Sequence, residues 1–157
     1  MRRKDREITE PAEIRAILAR ARVLHLGING EDRPYVVPMH YGFDWDGALP
    51  VFYVHCAAEG RKLELLRRDP RVFLEIDTDE SLISGGEQPC RYGACYASVM
   101  CAAEAEFLDD GEEKARALEL LMRTQTGREF TVTEQMARSV CVLRLRALEL
   151  SAKARLS

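Results

Sequence analysis

Apolar and polar positions change period several times along the chain. Ile14, Ile17, Leu18 and Ala21 recur at helical spacing and predict a first helix with one buried stripe. Thr9 can cap it, and Pro11 suits its first turn, where a missing N–H costs nothing. From Val23 the period drops to two. Leu24, Leu26 and Ile28 take one face of a strand, and His25, Gly27 and Asn29 the other. Asn29-Gly30 reads as a tight turn, because both residues tolerate positive φ. Tyr35–Tyr41 forms a second strand, Asp44–Gly47 turns the chain, and Leu49–His55 forms a third. These three strands predict a meander. Pro38 interrupts the second; lacking an N–H, it belongs at an edge, a bulge or a strand end.

A loop, Cys56–Gly60, leads into a short helix over Arg61–Arg68 in which Leu63 and Leu66 share a face. Asp69-Pro70 ends it, since the residue before proline avoids the α region. Val72–Asp77 is a fourth strand, and residues 79–92, with Gly85-Gly86 and Pro89, read as an irregular excursion. Tyr96–Ala102 starts a fifth strand that continues through Glu106-Phe107-Leu108. Asp109-Asp110-Gly111 opens a helix carrying Ala115, Leu118, Leu121 and Met122 and ending near Gly127. Cys141, Leu143, Leu145 and Ala147 alternate with Val142, Arg144 and Arg146 as a sixth strand. Six strands and a few peripheral helices predict a mainly β fold, a small closed barrel, since closure removes exposed sheet edges.

Composition narrows the function. The 157 residues show no repeat or linker and are read as one domain, 1–157, large enough for a core without staples. Twenty-three basic against 26 acidic residues give a net charge of −3, which argues against a nucleic-acid partner. No apolar run is long enough to span a bilayer, and the basic Met1–Glu7 stretch lacks the apolar core of a signal peptide. Five irregularly spaced cysteines fit reduced thiols in a cytoplasmic protein. Cys90 and Cys95 have no second pair at ligand spacing, so no metal site is expected.

Candidate chemistry concentrates in His55–Lys62. There a strand ends, a small-residue loop follows, and a helix starts on two cations, Arg61 and Lys62. Amides at a helix start attract phosphate, Arg and Lys add charge-assisted bonds, and Gly60 permits close backbone approach. The plainer reading is a solvated helix start. Val37-Pro38-Met39-His40 is the second candidate: backbone groups left out of a ladder can bond the edge of a planar heterocycle, although an ordinary sheet edge has the same pattern. His25, His40 and His55 each lie on a strand, and Cys56 points away from His55, which argues against a Cys–His pair there. Trp45, Phe73, Tyr92 and Tyr96 read as core or interface.

These features occur in one order: the opening helix, the meander with Val37–His40, His55…Gly60-Arg61-Lys62-Leu63, Asp69-Pro70-Arg71-Val72, Tyr96-Ala97-Ser98-Val99, Glu113–Leu118 and Thr126-Gly127-Arg128. The order resembles the pyridoxamine 5'-phosphate oxidase-like FMN-binding split barrels, and within them the nitroimidazole-resistance-protein branch, from Arg3 to about Arg155. The resemblance implies a six-stranded split barrel, a homodimer, and FMN sites at its interface. It implies that Val37, Pro38, Met39 and His40 line the flavin ring, that Tyr53 and His55 lie beside the ring and ribityl chain, that Arg61 and Lys62 bind phosphate, and that Ser98 makes polar contacts nearby. Where the family often carries glycine after this serine, Met100-Cys101-Ala102-Ala103 stands here and narrows the expected pocket.

The implied activity is an FMN-dependent oxidoreductase passing electrons from a reduced nicotinamide to a small-molecule acceptor such as a nitroaromatic. The flavin carries that chemistry, so His55 is the one candidate for a direct role. The alternatives are a flavin-binding or redox-sensing module without turnover, and a haem- or deazaflavin-binding relative in which His40 or His55 serves haem.

Overall fold

The computed structural model describes residues 3–156; Met1 and Arg2 of the basic N-terminal stretch, and Ser157, lie outside the described residues. Strands β1 (Glu7–Ile8), β2 (Val23–Ile28), β3 (Tyr35–Asp44), β4 (Val51–Cys56), β5 (Arg71–Ile83), β6 (Gly93–Leu108) and β7 (Cys141–Arg155) form one sheet. Its order is β1-β7-β4-β3-β2-β5-β6, and β6 pairs back to β7, so six strands close a barrel and β1 lies outside it on β7. The helices are α1 (Pro11–Arg20), α2 (Arg61–Arg68), α3 (Gly111–Thr126) and the short α4 (Glu134–Ala137). No helix among the described residues is long and apolar enough to cross a membrane.

Period-two alternation builds the barrel as expected. Leu24, Leu26, Ile28, Phe52, Val54, Leu74, Ile76, Leu143 and Leu145 all point into one core. Ile14, Ile17 and Leu18 of α1 join it, as do Leu63, Leu65 and Leu66 of α2. The buried Tyr41 hydroxyl donates to the Leu18 carbonyl at 2.7 Å and ties α1 to β3; its burial pushes the phenol pKa up. Helix α3 lies outside the barrel. Asp110 caps it by accepting from the Glu113 amide, and Gly127 ends it in the left-handed region at φ 70°. It packs so closely on β3 that a Cβ at Gly42 would collide with the backbone of Leu121.

The barrel is split. β4 pairs with β3 only from Tyr41–Asp44, so Tyr35–His40 has β2 on one side and no β4 partner on the other. Pro38 falls in this open half, where a missing N–H does least harm.

Several expectations need correction. Glu10, not Thr9, is the residue before α1, and it makes no side-chain cap bond. Asn29-Gly30 is no two-residue turn: Ile28 pairs with Tyr35, leaving a six-residue loop, and neither residue has positive φ. The Asn29 amide instead donates to Asp69 at 2.9 Å. The excursion at 79–92 is mostly a hairpin. β5 continues to Ile83, Ser81–Ile83 pairs with Cys95–Gly93, and a 3-10 turn, Pro89–Arg91, bridges them. A bulge at Asp79, φ 64°, carries the ladder past the barrel rim, and Arg20 holds it through bonds of 2.6–3.1 Å. β7 runs on from Ala147 to Arg155, past a register shift opposite Ala102 and Ala103.

Candidate functional site

The outer wall of the barrel divides into two halves. Helix α3 covers the half made by the end of β3, β4 and the start of β7. On the other half, formed by the open part of β3 with β2, β5, β6 and the end of β7, α1 meets β5 and β6 and α2 meets β2, but large side chains of the outward rows stay exposed among the described residues. The register fixes its rows: Val36–Gly27–Phe73–Ala102 and Pro38–His25–Glu75–Met100. Three large apolar side chains stand exposed there, Val36 at 58%, Phe73 at 47% and Met100 at 37%. A hollow of about 250 Å³ opens at one end, lined by Gly27, Pro34, Arg71 and Phe73 among others.

The split joins the two halves, and most of the predicted site residues gather at its mouth. On β3, Val37 and Met39 turn their side chains into the core, so only their backbone faces the opening; Pro38 and His40 are exposed. His40 donates from Nδ1 to the Arg22 carbonyl at 3.0 Å. That acceptor fixes the proton on Nδ1 and leaves Nε2 free. His55 is the last residue but one of β4 and feels the charges of His40 and Lys62. Desolvation, then the His40 and Lys62 charges, hold its pKa below the ordinary imidazole value, which favours the neutral ring.

Helix α2 starts beside these histidines. Gly60 precedes it at φ 136°, a conformation few other residues adopt, and no side chain caps the helix. The first amides of a helix have no intrahelical acceptor, so those of Arg61 and Lys62 are free to face an anion. The Arg61 guanidinium lies 5.1 Å from the Tyr35 ring centroid and spans the split.

Two predicted residues lie elsewhere. Tyr53 sits under α3 with Leu108, Ala117 and Val142, in a hollow of about 210 Å³ shared with Arg144. Arg144 bonds Glu113 at 2.7 Å and Glu106 at 3.2 Å. Ser98 is on β6, with β2 and β5 between it and β3. It is 6% exposed, and its hydroxyl is the one buried side-chain polar atom without a partner among the described residues. It lines a hollow of about 330 Å³ with Glu7, Met100, Glu149, Ser151 and Lys153. The sequence reading missed the exposed apolar rows. The signal was present: Val36 and Met100 are apolar at the outward phase of their strands.

A split barrel with a cationic helix start at its opening defines a class, and comparison with known proteins names it. The chain belongs to the pyridoxamine 5'-phosphate oxidase family, whose model matches residues 10–154. A candidate 5-nitroimidazole antibiotic resistance protein from Bacteroides thetaiotaomicron is 32% identical over 94% of this chain and 86% of that one, with a TM-score of 0.79. The FAD- and haem-binding protein of Mycobacterium smegmatis shares the fold at 13% identity, TM-score 0.79, over 97% and 74% of the two chains. A FAD-binding protein of Mesorhizobium loti shares it at 22% identity, TM-score 0.63, over 94% and 96%. No curated protein matches the sequence significantly.

The residues present suit a flavin. Two cations at an uncapped helix start match a phosphate, and the unladdered backbone of β3 matches a ring edge.

Proposed function

We propose that this protein is an FMN-dependent oxidoreductase that acts as a homodimer and moves electrons from a reduced nicotinamide to a small acceptor such as a nitroaromatic. The observation that carries this reading is the mouth of the split. There the α2 start with Arg61 and Lys62, the open half of β3, and neutral His55 adjoin one another.

Arg61 and Lys62 would hold the phosphate, the backbone of Val37–Met39 would meet the ring edge, and His40 and His55 would flank it. A bound flavin supplies the transfer of two electrons between donor and acceptor. The chain's own residues orient the ligand and exclude water. A neutral His55 keeps one ring N–H, which can donate to a nitro oxygen of an acceptor seated beside it. The bare half, with Val36, Phe73 and Met100, is the surface a second copy would cover, and that copy would bring its own β6 hydroxyl, Ser98, to the shared face.

The visible spectrum of natively purified protein, with identification of the ligand released on denaturation, tests this. Oxidised-flavin bands and released FMN are the expected result; a colourless protein that takes up no added FMN overturns it. Released FAD would keep the oxidoreductase and change the cofactor. Replacing Arg61 and Lys62 together with alanine should weaken FMN at least about a hundredfold, since each charge-assisted bond is worth about 1.5–3 kcal/mol. Unchanged affinity, read by flavin fluorescence, would remove the phosphate site.

A second reading is haem. Two histidines stand together at the mouth, and His40, its Nδ1 engaged with the Arg22 carbonyl, would have Nε2 available to hold a haem iron. A Soret band lost on His40→Ala or His55→Ala would favour it.

A further inference from the structure

The ladder between β4 and β7 ends on two cysteines. Cys56, the last residue of β4, stands in register with Cys141, the first of β7. Directly opposed residues of an antiparallel pair share a face, and their Cα atoms lie about 4.5–5.5 Å apart. Here the shared face is the inward one. Both cysteines continue the rows of Val54 and Leu143 and pack, half-buried, against the core. They lie on the half of the barrel that carries α3, away from Val36, Phe73 and Met100, so the face assigned to a second copy does not include them.

Two observations set this pair apart from the other cysteines. First, the two thiols interact. The Cys141 pKa is pushed up, by burial first and then by the charge of Cys56 and a side-chain hydrogen bond with it. The charges of Lys114 and Arg67 partly oppose that rise, as cations near a thiolate do. Second, the pair is reachable. Cys101 is fully buried, and burial pushes its pKa up to about 12, so it is inert. Cys56 instead adjoins the exposed loop Ala57–Gly60, which gives a small oxidant a path to its sulfur.

The backbone also suits a bond between them. Disulfides span Cα separations of about 4.4–6.8 Å, which includes a directly opposed pair. Their Cβ atoms must close to about 3.5–4.5 Å, nearer than most cross-strand pairs stand. In mid-ladder that approach is resisted from both sides. At the last rung it is not, because Ala57 and Val140 lie outside the ladder. What strain remains makes the bond easier to reduce, the property of labile rather than structural disulfides.

We propose that Cys56 and Cys141 are a reversible thiol–disulfide site, oxidised by hydroperoxides, whose bridge clamps the end of β4 to β7. The Cys56 thiolate attacks a peroxide oxygen, the O–O bond breaks, and a sulfenic acid and one water result. The Cys141 sulfur then attacks the Cys56 sulfur. The S–O bond breaks, the S–S bond forms, and a second water leaves with the thiol proton. The two thiols lose two electrons and two protons, and one hydrogen peroxide becomes two waters. A dithiol reductant returns both.

The test uses the full-length protein, first reduced, then freed of reductant and treated with hydrogen peroxide. A proteolytic digest should contain one peptide pair joined through Cys56 and Cys141, and a dithiol reductant should separate it. Amide exchange at Cys56 and Val142 should slow several-fold in the bridged protein, because the end of the ladder no longer frays. In Cys141→Ser, Cys56 should stop at the sulfenic acid, which dimedone traps. The proposal is overturned by wild-type protein that forms no bridge, that bridges through Cys90 or Cys95 instead, or that carries Cys56 past the sulfenic acid. Unchanged exchange in a bridged protein overturns the clamp. The decisive readings come from wild type, so a variant that fails to fold does not remove the test. None involves Arg61 or Lys62, so this proposal and the flavin reading can fail separately.

Discussion

The two halves of the barrel's outer wall have the same backbone architecture and opposite surfaces. Under α3 the outward positions are small or engaged: Gly42 admits the helix backbone, Tyr53 packs against Ala117, and Arg144 bridges Glu106 and Glu113. On the bare half the outward positions are Val36, Phe73, Met100 and a loosely paired His25–Glu75–Asp77 cluster. A strand's inner face is dictated by the core and tells little about activity. Its outer face records what covers it. The covered half has its cover within the chain; the bare half is finished to receive something from outside.

That contrast can be broken at either end. Gly42→Val should have the largest effect. A side chain there strikes the backbone of Leu121, which no rotamer change relieves, so α3 must lift. A loss of about 3 kcal/mol or more is expected, because overpacking against rigid backbone exceeds the usual 1–3 kcal/mol. For a chain of this size that lowers the melting midpoint by roughly 6–12 °C in a calorimetric scan. A midpoint within a degree or two of wild type would mean α3 is not held as described.

Phe73→Asp tests the bare half and should do the reverse. The side chain is half exposed, so unfolding at low protein concentration should change by about 1 kcal/mol or less. A charge in a face that pairs with a second copy should weaken self-association at least tenfold, visible by sedimentation. A wild type that is monomeric at all concentrations would refute the homodimer proposal.

The smallest effect concerns acid. Glu106 is held below the ordinary glutamate pKa; burial opposes this, but bonds from Arg144 and the charges of Arg144 and Arg146 outweigh it. A depressed folded-state pKa gives stability that is complete above the unfolded value, near 4.3, and is lost as pH falls through the folded value. Glu106→Gln should therefore be slightly less stable than wild type at pH 7, by up to about 1 kcal/mol for so exposed a group. The difference should shrink as pH falls below about 4.3. A gap that stays constant as pH falls would show that the glutamine itself, not the lost charge, is responsible.

Much of the fold was legible because the core imposes its period. Leu24–Ile28 and Val51–Val54 alternate cleanly because one face lies in the barrel core. The ribbon from Asp79 to Cys95 was not legible for the same reason in reverse: it projects beyond the barrel, no core lies beneath it, and Asp79–Ser81 reads as loop although its ends pair. The second half of β7 was missed where its ladder shifts by a residue and Leu148 turns outward. Of the candidate site, Gly60-Arg61-Lys62 could be read because a helix start is local. Tyr53 and Ser98 could be placed on a face, but alternation does not say what covers that face. The His25–Glu75 contact, 50 residues apart in sequence, has no local signature.

One further consequence follows from the position of β7. Its first half lies between β4 and β6, so it is the stave that closes the barrel, and it is the last strand in the chain. During synthesis, Val51–Cys56 must wait for Cys141–Arg146, and Tyr96–Leu108 for the whole of Cys141–Arg155, before their outer edges are paired. Unpaired strand edges invite association with other chains, and pairings this distant in sequence form slowly. The nascent protein therefore passes through an interval in which β4 and β6 are complete but unsealed. Its yield in a cell depends on how briefly that interval lasts, and on whether a chaperone shields β4 and β6 until the seam is shut.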